Sequence, residues 1–140
     1  MAKRPLKLSI HIPAYKYPRN DWRRLIHAEV RKVQGKSPVR YKSEDRLEVE
    51  CRLYMNSRAL GIHDVDNRLK DILDALQGRA GGPKKNRALA AIIPNDRQIY
   101  RVVIEKLPCL AGTDGWGVVT VRRLPSANIR WRKAKQLIRT

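Results

Sequence analysis

The chain reads as a single α+β domain: a mixed β-sheet with two main helices packed on it. Three observations predict this. At 140 residues the chain is long enough for one buried core and short for two. Four short stretches alternate apolar and polar residues with the period of a strand, and two others repeat apolar residues with the period of a helix. The order of these stretches, strand, helix, strand, helix, strand, strand, mixes the two classes without a βαβα series.

The first strand is marked by Leu6, Leu8, Ile10 and Ile12 alternating with Lys7, Ser9 and His11 and closed by Pro13. A helix follows, with Asn20 or Asp21 as its cap, Trp22, Leu25, Ile26 and Val33 as its apolar stripe, and Gly35 and Pro38 as its stop. Its Arg23, Arg24, Arg31 and Lys32 are expected on the wet side. Leu47, Val49, Cys51, Leu53 and Met55 alternate with Arg46, Glu48, Glu50, Arg52 and Tyr54, which gives a second strand with one core face. Leu69, Ile72, Leu73 and Leu76 then fall at i, i+3, i+4 and i+7, an amphipathic helix capped by Asp66 or Asn67 and ended by Gly78.

Residues 78–87, GRAGGPKKNR, hold three Gly, one Pro and four basic residues, the composition of a loop. Beyond it, residues 98–106 form a strand with Tyr100, Val102 and Ile104 on one face, and residues 116–124 form the last strand after the turn at Gly112 to Gly115. No repeat and no low-complexity tract interrupts the order.

Charge narrows the function. Thirty-one Lys and Arg against thirteen Asp and Glu leave a formal net charge of +18, which favours a polyanion, nucleic acid before an acidic membrane surface. No apolar run approaches the roughly 18 residues of a membrane span, and the alternating N-terminus lacks the apolar stretch of a signal peptide. A cytoplasmic protein is the expectation. Cys51 and Cys109 stand far apart with no C-x-x-C pairing, which argues against a zinc site.

Against this charge, four of the thirteen acidic residues, Asp64, Asp66, Asp71 and Asp74, gather within eleven positions. Asp64 and Asp66 are two apart, so an extended backbone would point both carboxylates the same way. Mg²⁺ takes one or two carboxylates and fills its octahedron with waters and phosphate oxygens, so the pair is a plausible half-site. Asp96, isolated in IIPNDRQIY, is the candidate third acid. The ordinary alternative is that Asp64 and Asp66 cap a helix, as Asp71 and Asp74 are expected to serve only as helix-end or solvated residues, and that Lys70 merely pairs at i,i+4. His63 has no second His at ligand spacing and reads as structural.

Asp64-Val65-Asp66-Asn67, then Lys70, then Asp74-Ala75-Leu76, and some twenty residues on Asn95-Asp96-Arg97-Gln98-Ile99, resemble the RusA family of Holliday junction resolvases, whose pattern is D-L-D-N-x-x-K, a helix with D-A-L, and a later D-D-x-Q-V. The likeness extends over about residues 6 to 124. It implies a RusA-like nuclease domain over residues 1–124; the basic tail at 125–140 exceeds the family's usual end. It implies catalytic roles for Asp64, Asp66, Lys70 and Asp96, with Asp64, Asp66 and Asp96 holding Mg²⁺, or Mn²⁺ in its place, and Asn67 and Asn95 just behind. Asn95 stands where the family commonly has another Asp, and the loop to Pro94 is longer than usual. The activity implied is a crossover junction endodeoxyribonuclease of DNA recombination and repair, a homodimer nicking a four-way junction symmetrically. Arg79, Lys84, Lys85 and Arg87 of the loop and Arg130, Arg132, Lys133 and Lys135 of the tail are candidate DNA-backbone contacts, with solvated surface charge the ordinary alternative, and Trp131 is expected to anchor the tail to the core, base stacking being its alternative. The competing reading is a non-catalytic binder of branched DNA or structured RNA.

Overall fold

A computed structural model describes residues 6–81 and 89–125. It is a single α+β domain with a four-stranded mixed sheet. The elements are β1 (Lys7–Pro13), α1 (Arg19–Lys36), β2 (Leu47–Met55), α2 (Ser57–Ile62), α3 (Val65–Leu76), a 3₁₀ turn at Asp96–Gln98, β3 (Ile99–Pro108) and β4 (Trp116–Arg123). Strand order is β1-β4-β2-β3, with β4 antiparallel to both neighbours and β2 parallel to β3. A parallel pair needs a long crossover, and the chain between β2 and β3, which carries α2 and α3, supplies it.

Period-2 patterning decides which face of the sheet is buried. Leu8, Ile10 and Ile12 of β1, Val119 and Val121 of β4, and Val49, Cys51 and Leu53 of β2 enter one core cluster with Trp22, Ile26 and Val30 of α1 and Ile72, Ala75 and Leu76 of α3. At about 25 cal/mol per Å² of apolar surface removed from water, this cluster is the main favourable term in folding. The cross-strand rows Lys7–Arg122–Glu48–Arg101 and Pro13–Trp116–Tyr54–Leu107 lie at the two ends of the other face. Helices α1 and α3 pack on the buried face only.

Boundaries depart from the sequence expectation where local chemistry overrides periodicity. Helix α1 begins at Arg19, because Pro18, at φ −76° and ψ 159°, takes the cap position in place of Asn20 or Asp21. It passes through Gly35 to Lys36, and Ser37, held extended ahead of Pro38, ends it. The short α2 is additional to the two expected helices; the Asn56 side chain starts it by accepting from the Ala59 N–H at 2.9 Å. Between β2 and β3 the register shifts at Leu47 and Glu48, which pair with Ile99 and Arg101, so Tyr100 of β3 is the bulged residue and Val102 and Ile104 alone keep the expected shared face. Gly78 adopts φ +79° just beyond α3, and a Cβ there would collide with the Leu89 carbonyl. Among the described residues no helix is long and apolar enough to cross a membrane.

Candidate functional site

Two acids stand on the first turn of α3. Asp64 is its N-cap residue and Asp66 lies two positions on, both exposed. A capping Asp spends a carboxylate oxygen on an amide of the first turn. Asp64 makes no such bond, whereas Asn56 and Asn95 cap their helices through their side chains. Neither Asp64 nor Asp66 has an ion-pair or side-chain hydrogen-bond partner among the described residues, and the same holds for Lys70, one turn along the exposed side of α3. Their charges sit at the positive end of the helix dipole, which favours them by about 0.3–1 kcal/mol each. Asn67 is exposed between them.

The residue before Asp64 is held from two sides. Lys106, which points inward from edge strand β3, donates from Nζ to the Leu60 carbonyl at 2.7 Å and to the His63 carbonyl at 2.8 Å. Arg68, buried one turn into α3, donates from Nη1 to His63 Nδ1 at 3.2 Å. Arginine cannot accept, so Nδ1 is the lone-pair nitrogen and the ring proton lies on Nε2. Burial first, then the charges of Arg68 and Lys106, lower the His63 pKa from its ordinary 6.5, so the ring stays neutral near pH 7. The Arg68 guanidinium lies 3.6 Å from the Tyr15 ring centroid, and Tyr15 in turn meets His63 and Trp22 edge-on at 5.0 and 5.2 Å.

Behind this layer, Asp71 and Asp74 are not the solvated residues expected. Asp71 is fully buried and faces Arg19, Arg23 and Arg68 at 2.9, 3.0 and 3.2 Å, while Asp74 meets Arg23 at 2.9 Å. Arg23 accordingly lies between α1 and α3, not on the wet side. Sequence reasoning missed Arg68 and Lys106; a Lys at the inward position after Val102 and Ile104 was the available sign.

Asp96 opens the 3₁₀ turn ahead of β3, exposed and without a side-chain partner among the described residues. It belongs to the other end of the sheet. Ile99 pairs with Leu47 at the start of β2, and Lys106, the residue that touches His63, pairs with Leu53. Seven strand steps separate Ile99 from Lys106, roughly 23 Å of sheet. Within one chain, Asp64 and Asp66 are neighbours at the start of α3, but Asp66 lies inside the helix and not on the extended backbone that would align the two carboxylates, and Asp96 does not join them. Among the described residues no group of three or more His, Cys, Asp and Glu side chains could hold a metal ion. Asn95 is occupied as a cap: its Oδ1 accepts from the Arg97 N–H at 2.9 Å, and its own N–H donates to Gln98 Oε1 at 2.9 Å.

Arg79 is exposed just past α3. Lys84, Lys85 and Arg87 of the loop, and Arg130, Trp131, Arg132, Lys133 and Lys135 of the tail, lie outside the described residues. No protein-family model matches the chain, and no curated protein matches it. The likeness to the RusA family rests on its spaced residues.

Proposed function

We propose that the protein is a divalent-metal-dependent endonuclease acting on branched DNA, a Holliday junction resolvase of the RusA type. The observation that carries this reading is the pair Asp64 and Asp66, exposed at the start of α3 and, among the described residues, used in neither capping nor pairing, with Lys70 one turn on likewise unpaired among them, in a chain of net charge +18. Two free carboxylates suit Mg²⁺, which completes its shell with water and substrate phosphate. When bound, the ion polarises the scissile phosphate and lowers the pKa of an attacking water. Asp64 and Asp66 hold their oxygens toward the strand, Lys70 offsets charge gathering on the phosphoryl group, and the Lys and Arg surface draws in a polyanion that the acids alone would repel.

The separation of Asp96 from the pair makes the homodimer part of the proposal. A second copy running antiparallel along the edge strand β3 would bring its Asp96 to the first copy's Asp64 and Asp66, and the dyad would create two equivalent sites, as matched nicks in two strands require.

Complementation tests this directly. Asp66→Asn and Asp96→Asn should each abolish Mg²⁺-dependent nicking of a labelled four-way junction. Mixing the two variants under conditions that exchange subunits should restore nicks, because one of the two shared sites is then intact. Restored nicking absent from the mixture, with wild type active, refutes sharing; no nicking by wild type in Mg²⁺ or Mn²⁺, with binding retained, leaves the non-catalytic binder.

A further inference from the structure

The end of the sheet that carries Asp96 also carries a cleft of about 270 Å³, the size of a small-ligand site rather than of a duplex groove. Residues 43–46, which lead into β2, form one wall, and the turn from Asn95 to Gln98 with Tyr100 just beyond forms the other. One buried side chain ties the walls together. Gln98, 6% exposed, donates from Nε2 to the carbonyls of Lys42 at 2.8 Å and Asp45 at 3.0 Å, and its Oε1 accepts from the Asn95 N–H at 2.9 Å. The backbone of Arg46 is fixed as well, since its carbonyl accepts from the Leu124 N–H at 2.7 Å. The cleft is therefore shaped before any ligand arrives, which lowers the entropic cost of binding.

The charged groups of this cleft differ in how they are used. Its two carboxylates are engaged locally: Asp45 Oδ2 accepts from the Lys42 N–H at 2.9 Å, and Glu44 Oε2 accepts from the Ser43 hydroxyl at 3.3 Å. Arg46 and Arg97 line the same cleft, yet neither guanidinium has a carboxylate or hydrogen-bond partner among the described residues. Tyr100, the bulged residue of β3, is 61% exposed, and the Arg46 guanidinium lies over its ring at 5.3 Å from the centroid. A cation–π contact orients a guanidinium without using any of its N–H donors, so the fork that recognises phosphate oxygens stays available.

We propose that this cleft binds one nucleotide unit of a DNA strand, its phosphodiester contacted by Arg46 and Arg97 and its nucleoside packed against the exposed part of Tyr100. Unpaired guanidinium groups beside an exposed aromatic side chain supply both halves of what a nucleotide needs, charged donors for the phosphate and a ring for the sugar or base. Glu44 and Asp45 in the same cleft oppose a phosphate, so binding depends on both arginines. Arg97 follows Asp96 directly, and a strand seated here is led past the candidate third acid. This rests on the nucleic-acid reading above but not on cleavage or on a second copy of the chain.

The test is titration with a short oligothymidylate in EDTA, where no nicking occurs. By NMR, the backbone amides of residues 43–46 and 95–100 should shift, and those of α1 should not. By fluorescence anisotropy, Arg46→Ala and Arg97→Ala should each weaken binding by about 10-fold and reduce the slope of log affinity against log salt by about 0.7. Tyr100→Ala, which removes no charge, should weaken it by about 5-fold or more, and Tyr100→Phe should retain most of the affinity. Arg97 and Tyr100 are exposed, so their truncation leaves the core intact and keeps the test open if Arg46→Ala misfolds. Shifts centred elsewhere, or full affinity in Tyr100→Ala, overturn the proposal. So does an oligothymidylate that does not bind while a four-way junction still does; a wild type that binds neither overturns the nucleic-acid reading itself. Loss of nicking in Asp66→Asn is read separately in Mg²⁺, so either reading can fail alone.

Discussion

Arg23 Nη2 lies 3.0 Å from Oδ1 of Asp71, a carboxylate with no solvent exposure, and the contact joins α1 to α3 below the candidate site. Arg19 and Arg68 face the same carboxylate, and the second oxygen, Oδ2, meets Arg68 at 3.2 Å. Charges this deep are tolerated only while paired.

Removing the carboxylate should therefore be costly. Asp71→Ala leaves guanidinium groups of Arg23 and Arg68 buried with their shared partner gone, and stability should fall by about 3–5 kcal/mol. Urea unfolding measures it. A loss below about 1 kcal/mol would mean that water reaches the cluster and solvates the arginines.

Lys106 anchors the segment that leads into Asp64. Lys106→Met keeps the stem and deletes two charge-assisted bonds, to Leu60 O and His63 O, and should cost roughly 1.5–3 kcal/mol. The effect should be local: amides of Gly61 to Asp64 should exchange at least about 10-fold faster, with core strands β2 and β4 protected as before. Exchange that speeds up uniformly across the sheet would refute a local anchor.

The acids of α3 separate their two readings by stability. Asp64→Asn and Asp66→Asn each remove a charge from a helix start, worth about 0.3–1 kcal/mol, and leave every observed cap in place. Nicking should fall on the order of 100-fold or more. Strong destabilisation with no activity to lose would instead make them structural.

The two thiols should differ sharply. Burial first, then the Glu50 charge, push the Cys51 thiol up to about 12 from an ordinary 9.0, whereas Cys109 is partly exposed. A disulfide reagent at pH 8 should titrate one thiol in the native protein and two after unfolding. Above pH 9 the unfolded chain loses the Cys51 proton and the native chain keeps it, so this residue lowers stability as pH rises, and Cys51→Ala should flatten that slope.

Much of this was legible in the residues alone. Alternation in LEVECRLYM and the i, i+3, i+4, i+7 spacing of Leu69, Ile72, Leu73 and Leu76 predicted β2 and α3, because burial of one face imposes its period on the chain. The same reading singled out Asp64 and Asp66, since carboxylates gathered in a cationic chain are conspicuous. It missed α2, which Asn56 starts by a single local bond and which buries no residue of its own, so no apolar period announces it.

Only the tertiary structure decided what the charges do. Asp71 and Asp66 are alike in sequence, both Asp on one short helix, yet one faces α1 and is locked by arginines while the other is exposed and has no side-chain partner among the described residues. Asp96, isolated at a strand entry, is the candidate third acid by sequence, but β3 lies parallel to β2, and parallel pairing carries its start to the end of the sheet away from Asp64. Sequence order determines periodicity and composition, which are local. Which charges meet depends on strand direction and helix facing, which are settled when the whole core closes.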